Sequence, residues 1–318
     1  MKKLLIFLIA LNIYATDIVT EYRQNGLAGI EVKLDRALTE KSYWSRYLKN
    51  KDTSFGYIEG YTNILVCNKS KSNLTLYKRT AHKYKKQTSY SAYTGKRKGD
   101  KETEGDKKTP NGIYNIVKKI DKLDSFYGPM AFVTSYPNDY DKYLGKSGHG
   151  IWIHGLPTEQ ERDTFTKGCI AINNDNIKCL DNDIDYSKTL LLIYPKKHKL
   201  GVSKKALSNI LSQLYMWRYA WIYNDFDKYI SFYDKDTFKR ADGKKFAWFK
   251  RYKTRIFNKN EDKQIIFNSI SVIPYPNKKN VYQIVFDEYY KSNTFKFIGK
   301  KILMVEMKNK KMKIFMEK

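Results

Sequence analysis

Cysteine and histidine are scarce in this chain, with three of the one and four of the other among 318 residues. No Cys-x-x-Cys pair and no His-Glu-x-x-His occurs, which excludes the usual spacings of a structural or hydrolytic zinc site. No metal and no cofactor is therefore expected. The seven prolines and seventeen glycines are too few for a low-complexity chain, and no internal repeat is evident. Beyond the first fifteen residues no apolar run is long enough to span a bilayer. Acidic residues are outnumbered, 33 against 60 Lys+Arg, for a formal charge of +27. Two readings of that excess stand: the Lys-, Asn-, Ile- and Tyr-rich drift of an AT-rich genome, or attraction to an anionic polymer or membrane surface.

Export argues against nucleic acid as that polymer. Met1-Lys2-Lys3 is followed by the apolar run Leu4–Leu11 and by Ala15, a small residue at a plausible cleavage point before Thr16. Residues 1–15 read as a signal peptide, so a periplasmic location is expected. Cleavage removes Lys2 and Lys3 and leaves +25. An exported protein usually pairs its cysteines, yet three is odd. Cys67 lies in the strand-like run Ile64–Cys67 and Cys179 in a helical pattern after Ile177; both read as core. Cys169 is left as a candidate reactive thiol.

The local context of Cys169 supports that. It follows Thr166-Lys167-Gly168, and fourteen residues separate it from His154, which is followed by Gly155. A thiolate nucleophile needs an imidazole to take its proton and backbone N–H groups to face an oxyanion. Gly168 permits close approach of the backbone. Of the remaining histidines, His149 reads as a loop residue, His198 as exposed in a linker, and His82 has no role.

The pattern along the chain divides it into segments. Residues 16–56 form an N-terminal helical segment, with helical periodicity over 26–50; it is read either as a dimer contact or as packing on its own catalytic domain. Residues 57–198 carry short β-rich runs at Ile64–Cys67, Leu74–Tyr77, Tyr90–Tyr93, Gly112–Val117, Ala131–Ser135, Ile151–His154 and Thr189–Tyr194. The polar stretch 95–111 is a solvated loop or a flap near the site, and Asn173 caps a helix through Leu180. After a linker at 195–204, residues 205–318 read as an amphipathic helix over Leu207–Trp221, a short helix near Asp225–Tyr233, and strands at Ile265–Pro274, Val281–Ser292, Thr294–Glu306 and Lys311–Met316. The fold class expected is multidomain α+β: a short helical segment, a β-rich catalytic domain and a C-terminal cone.

Three islands in order carry a family resemblance. They are Lys108-Thr109-Pro110-Asn111-Gly112-Ile113-Tyr114, Gly150-Ile151-Trp152-Ile153-His154-Gly155 and Thr166-Lys167-Gly168-Cys169-Ile170. Together they resemble the YkuD-type L,D-transpeptidase catalytic domain. Two positions depart from it: Lys167 stands where many members have His, and Ala171 where many have Arg. The flanks, Leu38–Tyr57 and a C-terminal part that includes Trp217–Trp221, Asp225–Tyr233, Trp248–Tyr252 and Phe286–Ser292, resemble the subfamily of peptidoglycan L,D-carboxypeptidases that set helical cell shape and end in an NTF2-like domain.

The resemblance implies removal of terminal D-Ala from tetrapeptide stems, with Cys169 as nucleophile, His154 as base and the Gly155 carbonyl fixing the imidazole tautomer. It also implies Gly168 and Cys169 N–H groups as oxyanion donors, and places Thr166 and Lys167 beside substrate carboxylates. The alternatives are an L,D-transpeptidase that forms crosslinks or attaches proteins to peptidoglycan, and a non-enzymatic cell-wall or glycan-binding scaffold. The expected partners are peptidoglycan stem peptides and, in the C-terminal domain, a small ligand or glycan, with Trp217, Trp221, Trp248, Tyr289 and Tyr290 lining its cavity or forming its core. A homodimer through the N-terminal segment is a further expectation, and nucleic acid is not.

Overall fold

The structure, a computed structural model, describes residues 2–81, 83–159, 163–196 and 201–318, with side chains from Asp17 onward. His82 and His198 lie outside the described residues. The chain opens with α1 (Lys2–Thr39), interrupted by Gly26 at φ 67°, and α2 (Lys41–Tyr47). The periodicity expected over 26–50 is thus two helices, split at Glu40, whose backbone is extended. Among the described residues no helix is long and apolar enough to cross a membrane.

β1 (Tyr57–Ile58) precedes a closed barrel. Its strands are β2 (Asn63–Asn68), β3 (Asn73–Arg79), β4 (Tyr84–Tyr93), β5 (Gly112–Ile120) and β6 (Ala131–Thr134), then, after α3 (Asp139–Tyr143), β7 (Trp152–His154) and β8 (Ile170–Ile172) and, after α4 (Asn174–Asp183), β9 (Thr189–Tyr194). The order around the barrel is β2-β3-β4-β8-β7-β6-β5-β9, parallel only at β2/β9 and β7/β8. The run Thr-Leu-Leu-Leu-Ile-Tyr of β9 is buried throughout because both its faces are covered. Leu191 and Ile193 point into the barrel core with Leu65, Phe132 and Ile153, while Leu190, Leu192 and Tyr194 face the C-terminal sheet.

The last third contains α5 (Lys204–Ile222), α6 (Phe226–Ser231), β10 (Lys239–Arg240), α7 (Phe246–Phe257), β11 (Lys263–Pro274), β12 (Val281–Ser292), β13 (Lys296–Lys308) and β14 (Lys311–Glu317). A six-stranded sheet, β1-β11-β12-β13-β14-β10, wraps the helices into a cone. Its core includes Trp217, Leu214, Tyr229, Phe249 and Phe286. Helix α7 was not among the expected elements. Its aromatic and basic run has modest helix propensity and its N-cap, Lys245, makes no side-chain cap, so its stability comes from burying Phe249 and Phe257.

The helices of the N-terminal segment pack on the C-terminal cone, whereas its last residues rest on the catalytic domain as expected, with Phe55 against Tyr77 at 4.9 Å and Asp52 accepting from Tyr84 N–H at 2.7 Å. Trp44 and Leu48 enter the cone's core, Trp44 meets Tyr215 at 5.2 Å between ring centroids, and buried Asp35 pairs with Arg218 at 2.6 Å. Tyr57 likewise pairs with Val272 of β11. Trp44→Ala removes a buried indole and is expected to cost about 3–5 kcal/mol, read as a lower denaturation midpoint of the C-terminal domain. Cys179, expected in the core, is exposed; α4 buries Ile177 and Leu180 and turns Cys179 away.

Candidate active site

Strand pairing brings the two chemical residues together. In the parallel β7/β8 pair Ile153 lies opposite Ile170 and His154 opposite Ala171, so Cys169, just before β8, stands at the strand end beside the histidine. Ile153 and Ile170 point into the barrel core. Side chains alternate across a strand, so His154 projects from the other face. It is 1% exposed there, and its Nδ1 lies 2.7 Å from the Gly155 carbonyl. A carbonyl only accepts, so this contact places the proton on Nδ1 and leaves Nε2 as the basic nitrogen.

Gly155 is required by space as well. A Cβ there would sit 2.4 Å from Asn174 Oδ1 and 2.8 Å from Pro129 Cδ. The same Asn174 oxygen accepts from Leu156 N–H at 2.7 Å. Gly155→Ala is expected to cost about 1–3 kcal/mol by overpacking, and to lower turnover further by moving the carbonyl that orients His154; comparing denaturation with initial rates separates the two.

The thiol is half-buried on a tightly bonded turn, with Cys169 Sγ donating to Gly150 O at 3.3 Å. Thr166 Oγ1 donates to Cys169 O at 2.7 Å and accepts from Gly168 N–H at 3.0 Å. Two expectations are corrected by this. Thr166 is buried and spends its hydroxyl on the turn rather than facing a substrate carboxylate. The Gly168 N–H points at Thr166 rather than at an oxyanion. The glycine is needed for its backbone instead: its φ is 141°, and a Cβ would lie 3.0 Å from Lys108 O. Lys167 is exposed beside the thiol. His149 is an exposed loop residue, 3.6 Å from Glu104. Ala171, the second departure from the family pattern, is buried in β8 between His154 and Tyr93.

Segment 95–111 is neither merely solvated nor loose. Thr109 Oγ1 donates to Gly168 O at 2.8 Å and accepts from Gly95 N–H at 2.8 Å, and Lys96 N–H donates to Thr166 O at 3.0 Å. Asp100 accepts from Asn111 N–H at 2.7 Å and pairs with Lys146 at 2.9 Å; Lys146 also pairs with Asp141 at 3.0 Å. Lys69 Nζ donates to the carbonyls of Gly99 and Thr109, and burial lowers its pKa to about 8. Burial pushes Asp106 up, but N–H groups of Glu102, Lys108 and Thr103 together with Lys101 outweigh it and hold its pKa at about 2. The threonine of the Thr-Pro-Asn-Gly turn therefore clamps the turn that carries the nucleophile.

Tyr127 is the residue that sequence reasoning missed. Its ring meets the His154 ring edge-on at 5.1 Å and Trp152 at 5.1 Å. It sits on a single 3-10 turn, Ser125–Tyr127, whose short run carries no periodic signal. Among the described residues no group of three or more His, Cys, Asp or Glu side chains could hold a metal ion. Proton transfer to a histidine and attack by a thiol are what the arrangement can do chemically.

Residues 62–193 match the YkuD L,D-transpeptidase catalytic domain, and residues 209–318 the C-terminal NTF2-like domain of Cds6. The crystal structure of the helical cell shape determining protein Pgp2 from Campylobacter jejuni is 38% identical, with a TM-score of 0.81 over 88% of this chain and 99% of that one. The chain belongs to the YkuD L,D-transpeptidase family with a C-terminal NTF2-like domain. Bd1075 of Bdellovibrio bacteriovorus is similar at 26% identity and a TM-score of 0.67, over 84% of this chain and 96% of its own. The Escherichia coli protein YafK, named as an L,D-transpeptidase, is 33% identical over 111 residues. That match spans 34% of this chain and 42% of YafK, less than half of the curated relative's length. Within this YkuD chain the matched catalytic domain contains every residue placed above around Cys169 and His154.

In the NTF2-like domain the aromatic residues divide. Trp217 is fully buried core, while Trp221 and Tyr290 line a cavity of about 710 Å³. Trp248 stacks on Tyr252 at 5.2 Å, and Tyr289 alternates to the opposite face of β12 from Tyr290.

Proposed function

We propose that this protein is a periplasmic L,D-carboxypeptidase that removes D-Ala from peptidoglycan tetrapeptide stems and so acts on cell shape. The family supports a peptidoglycan-modifying enzyme, and Pgp2 is titled a helical cell shape determinant. The basic and apolar start of the chain supports export. The observation that carries the chemistry is the 2.7 Å contact of His154 Nδ1 with Gly155 O on a strand paired to the one that follows Cys169.

In this reading His154 Nε2 takes the thiol proton as Cys169 Sγ attacks the carbonyl between the L-centre of diaminopimelate and D-Ala. The Cys169 N–H faces the oxyanion, since the Gly168 N–H is committed to Thr166. The imidazolium gives its proton to the leaving amine, and D-Ala departs from a thioester on Cys169. Water, deprotonated by His154, then attacks the thioester and restores the thiol. Lys167 is left as the exposed cation beside the nucleophile for the terminal carboxylate.

Mass analysis of muropeptides incubated with purified protein tests this. Tetrapeptide should fall as tripeptide and free D-Ala rise in equal amounts. New crosslinked dimers in their place would assign the protein to transpeptidation, and unchanged muropeptides would leave only the scaffold reading.

A further inference from the structure

The far end of the C-terminal sheet exposes apolar side chains on its convex face. Successive residues of a strand alternate between faces. Ile265 and Tyr290 enter the cone's core, so Ile266 and Tyr289 stand on the opposite side. Register sets Ile266 beside Tyr289 and Tyr289 beside Ile298, a row across β11, β12 and β13 about 10 Å wide. Ile298 is 68% exposed and Ile266 40%. Phe295, in the β12–β13 turn that Ser292 N–H closes on Phe295 O at 2.8 Å, is 60% exposed. The barrel packs on this sheet elsewhere, around Ile273, Met304 and Met316. Met304 lies about 20 Å of strand beyond Ile298, so the row stands clear of the barrel.

The charges beside this row are basic. Lys291 and Lys296 are directly opposite each other across β12 and β13, on the same face as Tyr289 and Ile298. Like charges in that position repel, and neither lysine has a carboxylate partner among the described residues. Lys296 Nζ instead lies 5.5 Å over the Tyr289 ring. The nearby carboxylates are spent on other lysines: Asp287 on Lys300 at 3.7 Å, Glu261 on Lys259 at 3.9 Å, and Asp262 beside Lys263. The surface therefore offers branched aliphatic and aromatic groups next to two uncompensated cations.

That pairing selects its occupant. A second copy of the same face would bring lysines against lysines. A glycan strand would leave two isoleucines against hydrated hydroxyls. A bilayer with anionic headgroups matches both parts, because phosphates meet the lysines while apolar side chains enter the interface. We propose that this end of the β12–β13 hairpin docks on an anionic lipid bilayer, with Ile298 and Phe295 entering the headgroup layer and Lys291 and Lys296 receiving lipid phosphates. The surface lies in a different domain from Cys169, so it stands or falls apart from the proposed activity.

Flotation with vesicles of phosphatidylethanolamine and phosphatidylglycerol, against vesicles of phosphatidylcholine alone, tests it. Full-length protein and a chain begun at Thr16 are both used, since the apolar run Leu4–Leu11 would bind lipid by itself. The chain begun at Thr16 should bind the anionic vesicles at least tenfold more tightly than the neutral ones. The pair Phe295→Ser and Ile298→Ser should weaken that binding about tenfold. The pair Lys291→Gln and Lys296→Gln should weaken it about tenfold or more, and should not lower the denaturation midpoint, since it removes a repulsion. Lys85→Gln with Lys86→Gln, an equal charge change on the exposed part of β4, should weaken it less than twofold. An equal loss from the β4 pair would assign the binding to total charge and overturn the proposal. So would absence of binding to anionic vesicles, or a dimer in sedimentation that Phe295→Ser and Ile298→Ser dissociate while vesicle binding is unchanged.

Discussion

Cys169→Ala is expected to reduce D-Ala release from a tetrapeptide stem by about 10⁴-fold or more, to the level set by binding and orientation alone. The account leaves no substitute nucleophile. Cys67 is buried inside the barrel, where burial raises its thiol pKa to about 12, and Cys179 lies exposed on α4 with its own helix. Thr166 beside the thiol has its hydroxyl committed to two backbone groups of the turn. The substitution removes one sulfur from a half-buried position, so the denaturation midpoint should change little while the rate collapses. His154→Gln should fall short of this, losing about 10²–10⁴-fold, because the thiol remains but its proton has no acceptor of suitable basicity. Initial rates of D-Ala release by the three proteins, with denaturation curves alongside, check both values.

Lys146→Met is expected to cost about 3–5 kcal/mol, more than any surface substitution, because it leaves two carboxylates facing each other without their cation. Asp141 is fully buried, and burial holds its pKa above the usual carboxylate range even against the pull of Lys146. Burial also opposes the charge on Lys146, but Asp141 and Asp100 outweigh it and hold the ammonium above its ordinary range. The loss reaches the active site through Asp100, which accepts from Asn111 N–H next to the Thr-Pro pair whose threonine clamps Gly168 O. Turnover should therefore fall beyond the unfolded fraction, with Lys146→Arg restoring part of it. The sign with pH follows from Asp141. Its folded pKa is raised, so the protonated form is the one the fold prefers; without Lys146 stability should drop as pH rises through that pKa and recover on acidification. Urea denaturation of wild type and variant at mildly acidic and neutral pH reads this directly.

Much of the barrel was legible because its strands are apolar runs whose inward residues fill one core. The run Leu190–Tyr194 reads as strand from any direction, being buried on both faces. The site was legible for a different reason: the Thr-Pro-x-Gly turn, the His-Gly pair and the Gly-Cys pair each need a specific backbone geometry, and those needs leave residue types in fixed order. What stayed hidden were relations between distant residues. Lys146 meets Asp100 across 46 positions, and nothing local to either marks the pair. The helix around Trp44 shows its apolar stripe but not its partner, which is α5, more than 150 residues away. Glycine was misread in one respect. Gly168 was expected to donate its N–H to the reaction, whereas its φ of 141° and close approach to Lys108 O explain it, and its N–H serves the turn. Tyr127 had no signal at all, because a single aromatic residue on a 3-10 turn has no periodicity to reveal it.

The central claim is that Cys169 forms a thioester which water resolves. Turnover of a disaccharide tetrapeptide in oxygen-18 water, followed by mass analysis of the products, tests it most directly. The account predicts tripeptide carrying one heavy oxygen in its new terminal carboxyl, with an acyl adduct on Cys169 in the quenched wild-type protein and none in Cys169→Ala. Crosslinked product without the heavy oxygen, or labelled tripeptide formed at the wild-type rate by Cys169→Ala, would contradict it.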